Sequence, residues 1–303
     1  MSLAICVIWG LAAARLTSAD QPDVTFHRGD GKLTIAIGGK PFADYYYEVP
    51  RACFANVYSP SGTKATRNFP VHDDDDPDHP HHTGIFLTFG DLNGVDFWHI
   101  QGKVVQERFV REPQANAWRG TFAVKKQFMS ADANTTFVSE VCHFTISAFA
   151  DEYQIEFDTI FTAEVDEVVI GSKEEGGLAA RVATPLAVAR GGSMVDSDGR
   201  EGGSRIWGKQ AAWVDHRATV DGQHVGLMVM AHPGNLKRCW WHARDYGLNA
   251  ANPFGPLNDP ETKTVLRRGE TLRLRYAVLV YSHSDDNPFD PAAAYKRYVD
   301  EDG

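Results

Sequence analysis

The chain alternates. In "YQIEFDTIF" (153–161) Tyr153, Ile155, Phe157 and Phe161 are apolar, whereas Gln154, Glu156 and Asp158 are polar. In "TLRLRYAVLVY" (271–281) Leu272, Leu274, Tyr276, Val278 and Val280 form one apolar row against Arg273 and Arg275. Successive side chains of a strand point to opposite faces, so a period of two predicts half-buried antiparallel strands. Similar short runs occur at 32–37, 84–90, 103–111, 119–128, 135–147, 205–216 and 223–231, and Asp221-Gly222 is a hairpin-turn signal between two strands. One helix is clear: Asp290 as cap, Pro291 at the first position, then "AAAYKRYVD", giving 291–300. Many strands and almost no helix predict an all-β fold, a large antiparallel β-sandwich with a short C-terminal helix. No repeat or boundary divides residues 20–303, and 303 residues suffice for one large core. The Gly-rich stretch 191–203, "GGSMVDSDGREGG", reads as a long mobile loop.

The beginning reads differently. "MSLAICVIWGLAAARLTSAD" has a short apolar run, Leu3 to Ala14, and small residues around Ala19, the pattern of a secretory signal over residues 1–19. Export to the periplasm or beyond is therefore expected. No apolar run approaches the ~18 residues of a membrane span. A formal net charge of −10 without a basic stripe argues against nucleic acid and anionic membranes as partners. Beyond the signal, Cys53, Cys142 and Cys239 are scattered and none sits in a C-x-x-C, so at most one disulfide can form. Buried, inert thiols are the expectation.

The densest chemistry lies in "HDDDDPDHPHHTG" (72–84). Asp74, Asp76 and Asp78 alternate, but the Gly and closing Glu of a calcium loop are absent, and Asp73 to Asp76 read as a solvated lead-in. Pro80 biases His79 toward an extended conformation, in which His79 and His81 converge and His82 faces away. Two imidazoles plus a carboxylate from elsewhere can hold one divalent metal ion, so His79 and His81 are candidate ligands. The other reading is hydrogen-bonded histidines in a sugar-binding cleft. The loop feeds a strand carrying Ile85, Leu87 and Phe89, followed by Asp91, Asn93, Asp96, Trp98 and His99, a combination suited to a cleft floor.

A second constellation is "CWWHARDYGLNAANPFGP" (239–256). As a strand it places His242, Arg244 and Tyr246 on one face and Trp241, Ala243 and Asp245 on the other. Aromatic faces stack on the C–H side of a sugar ring while Arg244, Asn249 and Asn252 would take its hydroxyls. In "SPSGTKATRNFP" (59–70), Arg67 and Asn68 precede the histidine loop and could grip an anionic or hydroxylated substituent.

These segments, with "RIWGKQAAWVD" and "HPGN", resemble the PmoA-like family of unknown function, mostly secreted proteins of planctomycetes and other environmental bacteria. The likeness spans about residues 24–283. The label comes from an integral-membrane methane monooxygenase subunit, and this chain has no span for that role. The resemblance implies a secreted β-sandwich from glycan-degrading bacteria, with HPHH and WHxRDYGxxAxNPFG as signatures. His79, His81, His82, His242, Arg244, Asp245, Tyr246, Asn249 and Asn252 occupy those positions. By analogy the sandwich is mutarotase-like or jelly-roll-like.

The leading expectation is an exported carbohydrate-active hydrolase, lyase or epimerase acting on a small-molecule or oligosaccharide ligand. In it His79 and His81 bind metal or polarise a sugar oxygen, and His82 or His242 carries protons. Asp245 or Asp91 orients a histidine or acts as base, and Arg67 and Arg244 position the substrate. The alternatives are a glycan-binding module built on Trp98, Trp240, Trp241 and Arg244, and an oxidative copper or iron enzyme on His79 and His81.

Overall fold

The alternating runs become strands because each can bury one row of side chains while the backbone pairs sideways. In the computed structural model, which describes residues 22–72 and 75–300, they are, in chain order, β1 (Val24–Gly29), β2 (Lys32–Ile37), β3 (Lys40–Tyr46), β4 (Cys53–Ala55), β5 (Ile85–Phe89) and β6 (Lys103–Asn116). Next come β7 (Arg119–Met129), β8 (Thr136–Ala148), β9 (Glu152–Ala163), β10 (Glu167–Gly171), β11 (Gly176–Arg181) and β12 (Ser193–Asp196). The last six are β13 (Trp213–Val220), β14 (Gln223–Ala231), β15 (Trp240–Arg244), β16 (Leu248–Asn252), β17 (Lys263–Arg267) and β18 (Thr271–His283). The expected signal and Asp73–Asp74 lie outside the described residues.

Two eight-stranded antiparallel sheets result. The first runs β1-β2-β3-β4-β5-β11-β16-β15, the second β12-β13-β14-β18-β9-β8-β7-β6, and β10 pairs with β17 in a separate ribbon. The sheets close on an aromatic core. Phe54 of the first sheet meets Phe144 (5.2 Å, 74°) and Phe157 (5.6 Å, 76°) of the second edge-on, a geometry that favours aromatic pairs beyond their area burial. The protein is thus a large antiparallel β-sandwich. None of its described helices is long and apolar enough to cross a membrane.

Local signals held where they were strongest. Asp221 and Gly222 both have positive φ (51° and 77°), as a type I′ hairpin turn requires. Asp290 Oδ1 accepts the N–H groups of Ala292 (2.9 Å) and Ala293 (3.0 Å), capping the C-terminal helix Pro291–Asp300. That helix buries Ala294 and Tyr298 against Met228, Met230 and Leu279. Cys53, Cys142 and Cys239 are buried free thiols.

Two expectations fail. The Gly-rich stretch is not a featureless loop: β12 pairs with β13, and Asp196 Oδ1 then accepts the N–H groups of Asp198 and Arg200 (both 3.0 Å), tying the turn down. The run 205–216 is a strand only from Trp213, because a short helix, Gly203–Ile206, opens it.

Alternation also decides what the first sheet shows outward. Ile85, Leu87, Leu178 and Ala180 face the main core, while Phe86 and Ala179 belong to a separate buried cluster with Cys53, Ala55, Trp98 and Ala250. That outer cluster is the floor on which the histidine loop lies.

Close strand approach at β11 can be tested by two glycines with matching backbone. Gly177 (φ 76°) would place a Cβ 1.9 Å from the Ala251 carbonyl oxygen, whereas Gly39 (φ 75°) has nothing within 4 Å. Chemical denaturation of Gly39→Ala is expected to show about 1 kcal/mol lost to the left-handed backbone alone. Gly177→Ala adds a backbone clash and is expected to lose upwards of about 3 kcal/mol.

Candidate functional site

The histidine segment is a turn, not an extended strand. His79 has φ 43°, and the His82 N–H donates to the His79 carbonyl (2.9 Å). Pro80 therefore sits at the second position of a β-turn, where its fixed φ is favoured. The consequence reverses the expected pairing. His79 stacks on His82 (4.9 Å, 5°), and His81 turns toward His99 (4.8 Å, 50°).

Two buried arginines hold this turn. Arg67 Nη1 donates to the carbonyls of Asp78 (2.7 Å) and His79 (3.1 Å), and its Nη2 donates to that of Asp76. Arg51 Nη1 donates to the Trp98 carbonyl (2.7 Å) and its Nη2 to that of His81, with the guanidinium 3.6 Å over the Phe86 ring. Burial pulls the Arg51 guanidinium down to about 9.

Each exposed histidine rests on a carboxylate. His79 Nδ1 lies 3.0 Å from Asp78 Oδ2, and His99 Nδ1 lies 3.0 Å from Asp96 Oδ2. Burial alone would raise the Asp78 carboxyl, but Arg181 (Nη2 to Oδ1, 2.7 Å) and His79 outweigh it and hold it below its ordinary value. Asp96 is lowered in the same way, burial being outweighed by the backbone N–H and ring of His99. The charges of these ion-held carboxylates stay fixed across the range where imidazole titrates.

The interior histidines are different. Burial first, then His99 and Arg51, lower His81 to about 4. Burial, with His81 and His79 adding to it, drives His82 further down. His242 is lowered to about 4, mainly by burial. Two tautomers follow from donor chemistry. Trp98 Nε1–H donates to His82 Nε2 (3.1 Å), and Arg244 Nε–H donates to His242 Nε2 (3.0 Å). Indole and guanidinium can only donate, so both rings carry their proton on Nδ1. In both residues that Nδ1 is buried without a partner among the described residues.

The rim is aromatic and ionic. Tyr246 stacks on His79 (4.7 Å, 12°) with the Arg181 guanidinium 4.7 Å from its ring. Arg244 Nη2 pairs with Glu174 (3.1 and 3.0 Å), which also accepts Trp207 Nε1–H (2.7 Å). Burial raises the neighbouring Glu175 carboxyl, and the charges of Glu174 and Asp96 add to it.

The structure thus gathers His79, His81, His82, His242, Arg244, Tyr246 and Trp98, and disperses the rest. Strand β15 sets the expected faces but ends at Arg244, with Tyr246 in the following turn. Trp241 is fully buried in the sandwich core and donates to the Ala211 carbonyl (3.0 Å), so it is no sugar platform. Trp98, 1% exposed, is floor rather than platform. Asp245 accepts the Gly203 N–H (2.7 Å) and steadies the short helix there. Asn249 is buried against His216 (3.0 Å), and Asn252 bridges the Lys173 carbonyl (2.8 Å) and the Phe254 N–H (2.9 Å). Asn68 accepts from Lys64, Arg67 is spent on the loop carbonyls, and Asp91 closes a turn onto the Gly94 N–H (2.9 Å). Asp76 is not a solvated lead-in, since Arg190 pairs with it.

Metal ligation by His79 and His81 lacks a third ligand, although their rings are 6.0 Å apart and the Asp78 contact leaves His79 Nε2 free. Among the described residues no group of three or more His, Cys, Asp or Glu is placed to hold an ion. Sequence reasoning underrated Asp96 and His99, whose i, i+3 spacing was a usable signal. It missed Arg51, Arg181, Glu174, Glu175 and Trp207, which no local pattern marks.

The neutral histidines make stability depend on pH. Unfolded imidazoles take protons near 6.5, whereas folded His81 and His242 take them only near 4 and His216 near 3. The unfolded state binds more protons in that window, so stability must fall as pH drops from 6.5 toward 4. Asp215, raised to about 6 by burial, works in the opposite sense but is outnumbered. Thermal melts at about pH 4 are expected well below those at about pH 7, and His242→Gln should flatten the difference.

The sandwich is similar to several solved structures. A GH36 α-galactosidase from Geobacillus stearothermophilus shares 10% identity at a TM-score of 0.42, over 86% of this chain and 41% of that one. The chain thus spans less than half of that enzyme's length. A galactose mutarotase related enzyme from Lactobacillus acidophilus shares 7% (TM-score 0.33; 88% of this chain, 100% of that one). A galactose mutarotase-like protein from Clostridium acetobutylicum shares 8% (TM-score 0.36; 89% and 97%). Likeness at this level says nothing of activity. No curated protein matches the chain. A model of the family of unknown function DUF6807 matches residues 32–293, and the chain belongs to that family.

Proposed function

We propose that this protein is an exported carbohydrate-active enzyme that moves protons on a sugar, of epimerase, lyase or hydrolase type. One observation carries the reading: two exposed histidines, each oriented by its own aspartate, flank the half-buried neutral His81 at ring distances of 6.0 Å (His79) and 4.8 Å (His99). A carboxylate that accepts Nδ1–H leaves Nε2 free to take or give a proton and stabilises the imidazolium formed. Two such dyads can serve as base and acid in one turnover, each contributing about 10²–10⁴ in rate.

The surroundings suit that chemistry. Neutral His81 between the dyads adds no positive charge to oppose protonation of either one. The Trp207 ring lies at the rim for the C–H side of a pyranose, and Arg244 with Glu174 offers paired donors and acceptors for its hydroxyls. The apolar, small-residue-ended N-terminal run and the likeness to secreted PmoA-like proteins support export.

Proton NMR in D2O on a panel of aldoses, uronates and glycosides tests the reading, because epimerisation, elimination and hydrolysis each leave a distinct signature. The wild type is expected to turn over one class. His79→Gln and His99→Gln are each expected to lower kcat by about 10²–10⁴ with smaller effects on KM. Full activity in both variants, or no turnover across the panel, would sink the proposal.

A further inference from the structure

A second feature is unclaimed by the dyads. At the β12 edge of the second sheet two cavities of about 460 Å³ each adjoin at Ser193 and Arg217, which line both and make one grooved face. No residue of the dyads lines either half. This volume lies within the range of small-ligand sites.

The two halves have complementary walls. In one, Phe289, stacked at 3.7 Å on Tyr281, forms an apolar side. In the same lining, Thr219 Oγ1 lies 3.3 Å from His224 Nδ1, and His224 Nε2 lies 2.6 Å from Asp285. In the other half, Arg205 faces the groove with Glu201 as its acidic counterpart in the lining. Neither Arg205 nor Arg217 closes an ion pair with any described residue, whereas Arg67, Arg181, Arg190 and Arg244 all do. Asp215, on the same strand as Arg217, is fully buried and accepts the Tyr281 hydroxyl (2.9 Å). Two guanidinium groups that close no ion pair thus lie along this face, although the charge of Arg217 acts on buried Asp215, and guanidinium is the side chain suited to reading a carboxylate.

The geometry points to a binding groove for an acidic oligosaccharide, with uronate carboxylates on Arg217 and Arg205, ring C–H faces on Phe289 and hydroxyls on Ser193 and Thr219. The choice of a sugar acid as ligand rests on the carbohydrate reading above; the groove and its charge do not.

Isothermal titration with tetragalacturonate, against its neutral methyl ester at the same ionic strength, tests this. The acid is expected to bind at least about tenfold more tightly than the ester, and Arg217→Gln to weaken it about tenfold. Arg205→Gln provides a second variant should Arg217→Gln fold poorly. Arg111→Gln, which removes an exposed guanidinium at the opposite, β6 edge of the same sheet, is expected to bind the acid as the wild type does. Equal binding of acid and ester, or unchanged binding in both arginine variants, would overturn the groove. Binding without turnover would leave the groove standing and remove the dyad proposal; turnover without such binding would do the reverse.

Discussion

The site depends on five main-chain carbonyls gathered by two buried guanidinium groups. Those of Asp76, Asp78 and His79 are taken by Arg67, and those of His81 and Trp98 by Arg51. Each guanidinium gives several main-chain carbonyls a charged donor at once. The reciprocal cost is a buried positive charge, which is why Arg51 loses its proton more readily than an exposed guanidinium. This clamp joins the 72–84 and 96–99 segments, and without it the two histidine–aspartate dyads would have no fixed relation.

From that clamp the chemistry follows in order. The turn stacks His79 on His82 and sends His81 toward His99. Burying His81, His82 and His242 beside arginines keeps them uncharged, while the exposed His79 and His99 sit on carboxylates whose charge their neighbours secure. Histidines in one cluster are thus divided by environment into interior rings held neutral and rim rings oriented by carboxylates. Environment, more than the number of histidines, decides which can carry protons.

Much of the sandwich was legible because period two is a local signal. Strands such as β9 and β18, the capped helix and the Asp221-Gly222 turn are specified by residues adjacent in sequence. The short strands β4, β11 and β16 were missed because both of their faces are buried, so "CFA", "GGLAAR" and "LNAAN" show no alternation. For 239–246 the pairing of faces was read correctly, but not which face points inward, and Trp241 was misassigned for that reason. At His79 a propensity was right on average and wrong here: proline's bias on the preceding residue yielded to the turn that proline itself favours. Arg51 and Arg181 carry no local signature at all, since their role exists only once distant segments meet.

The central claim is that carboxylate-oriented histidines stand around neutral ones, and nitrogen-15 NMR of the imidazole rings reads both properties directly. Assigned spectra from about pH 7 to about pH 5 are expected to show His82 and His242 as uncharged Nδ1–H tautomers throughout, with Nδ1 of His79 and of His99 protonated toward its aspartate. Imidazolium signals from His82 or His242 in that range, or Nε2–H tautomers for either, would contradict the account.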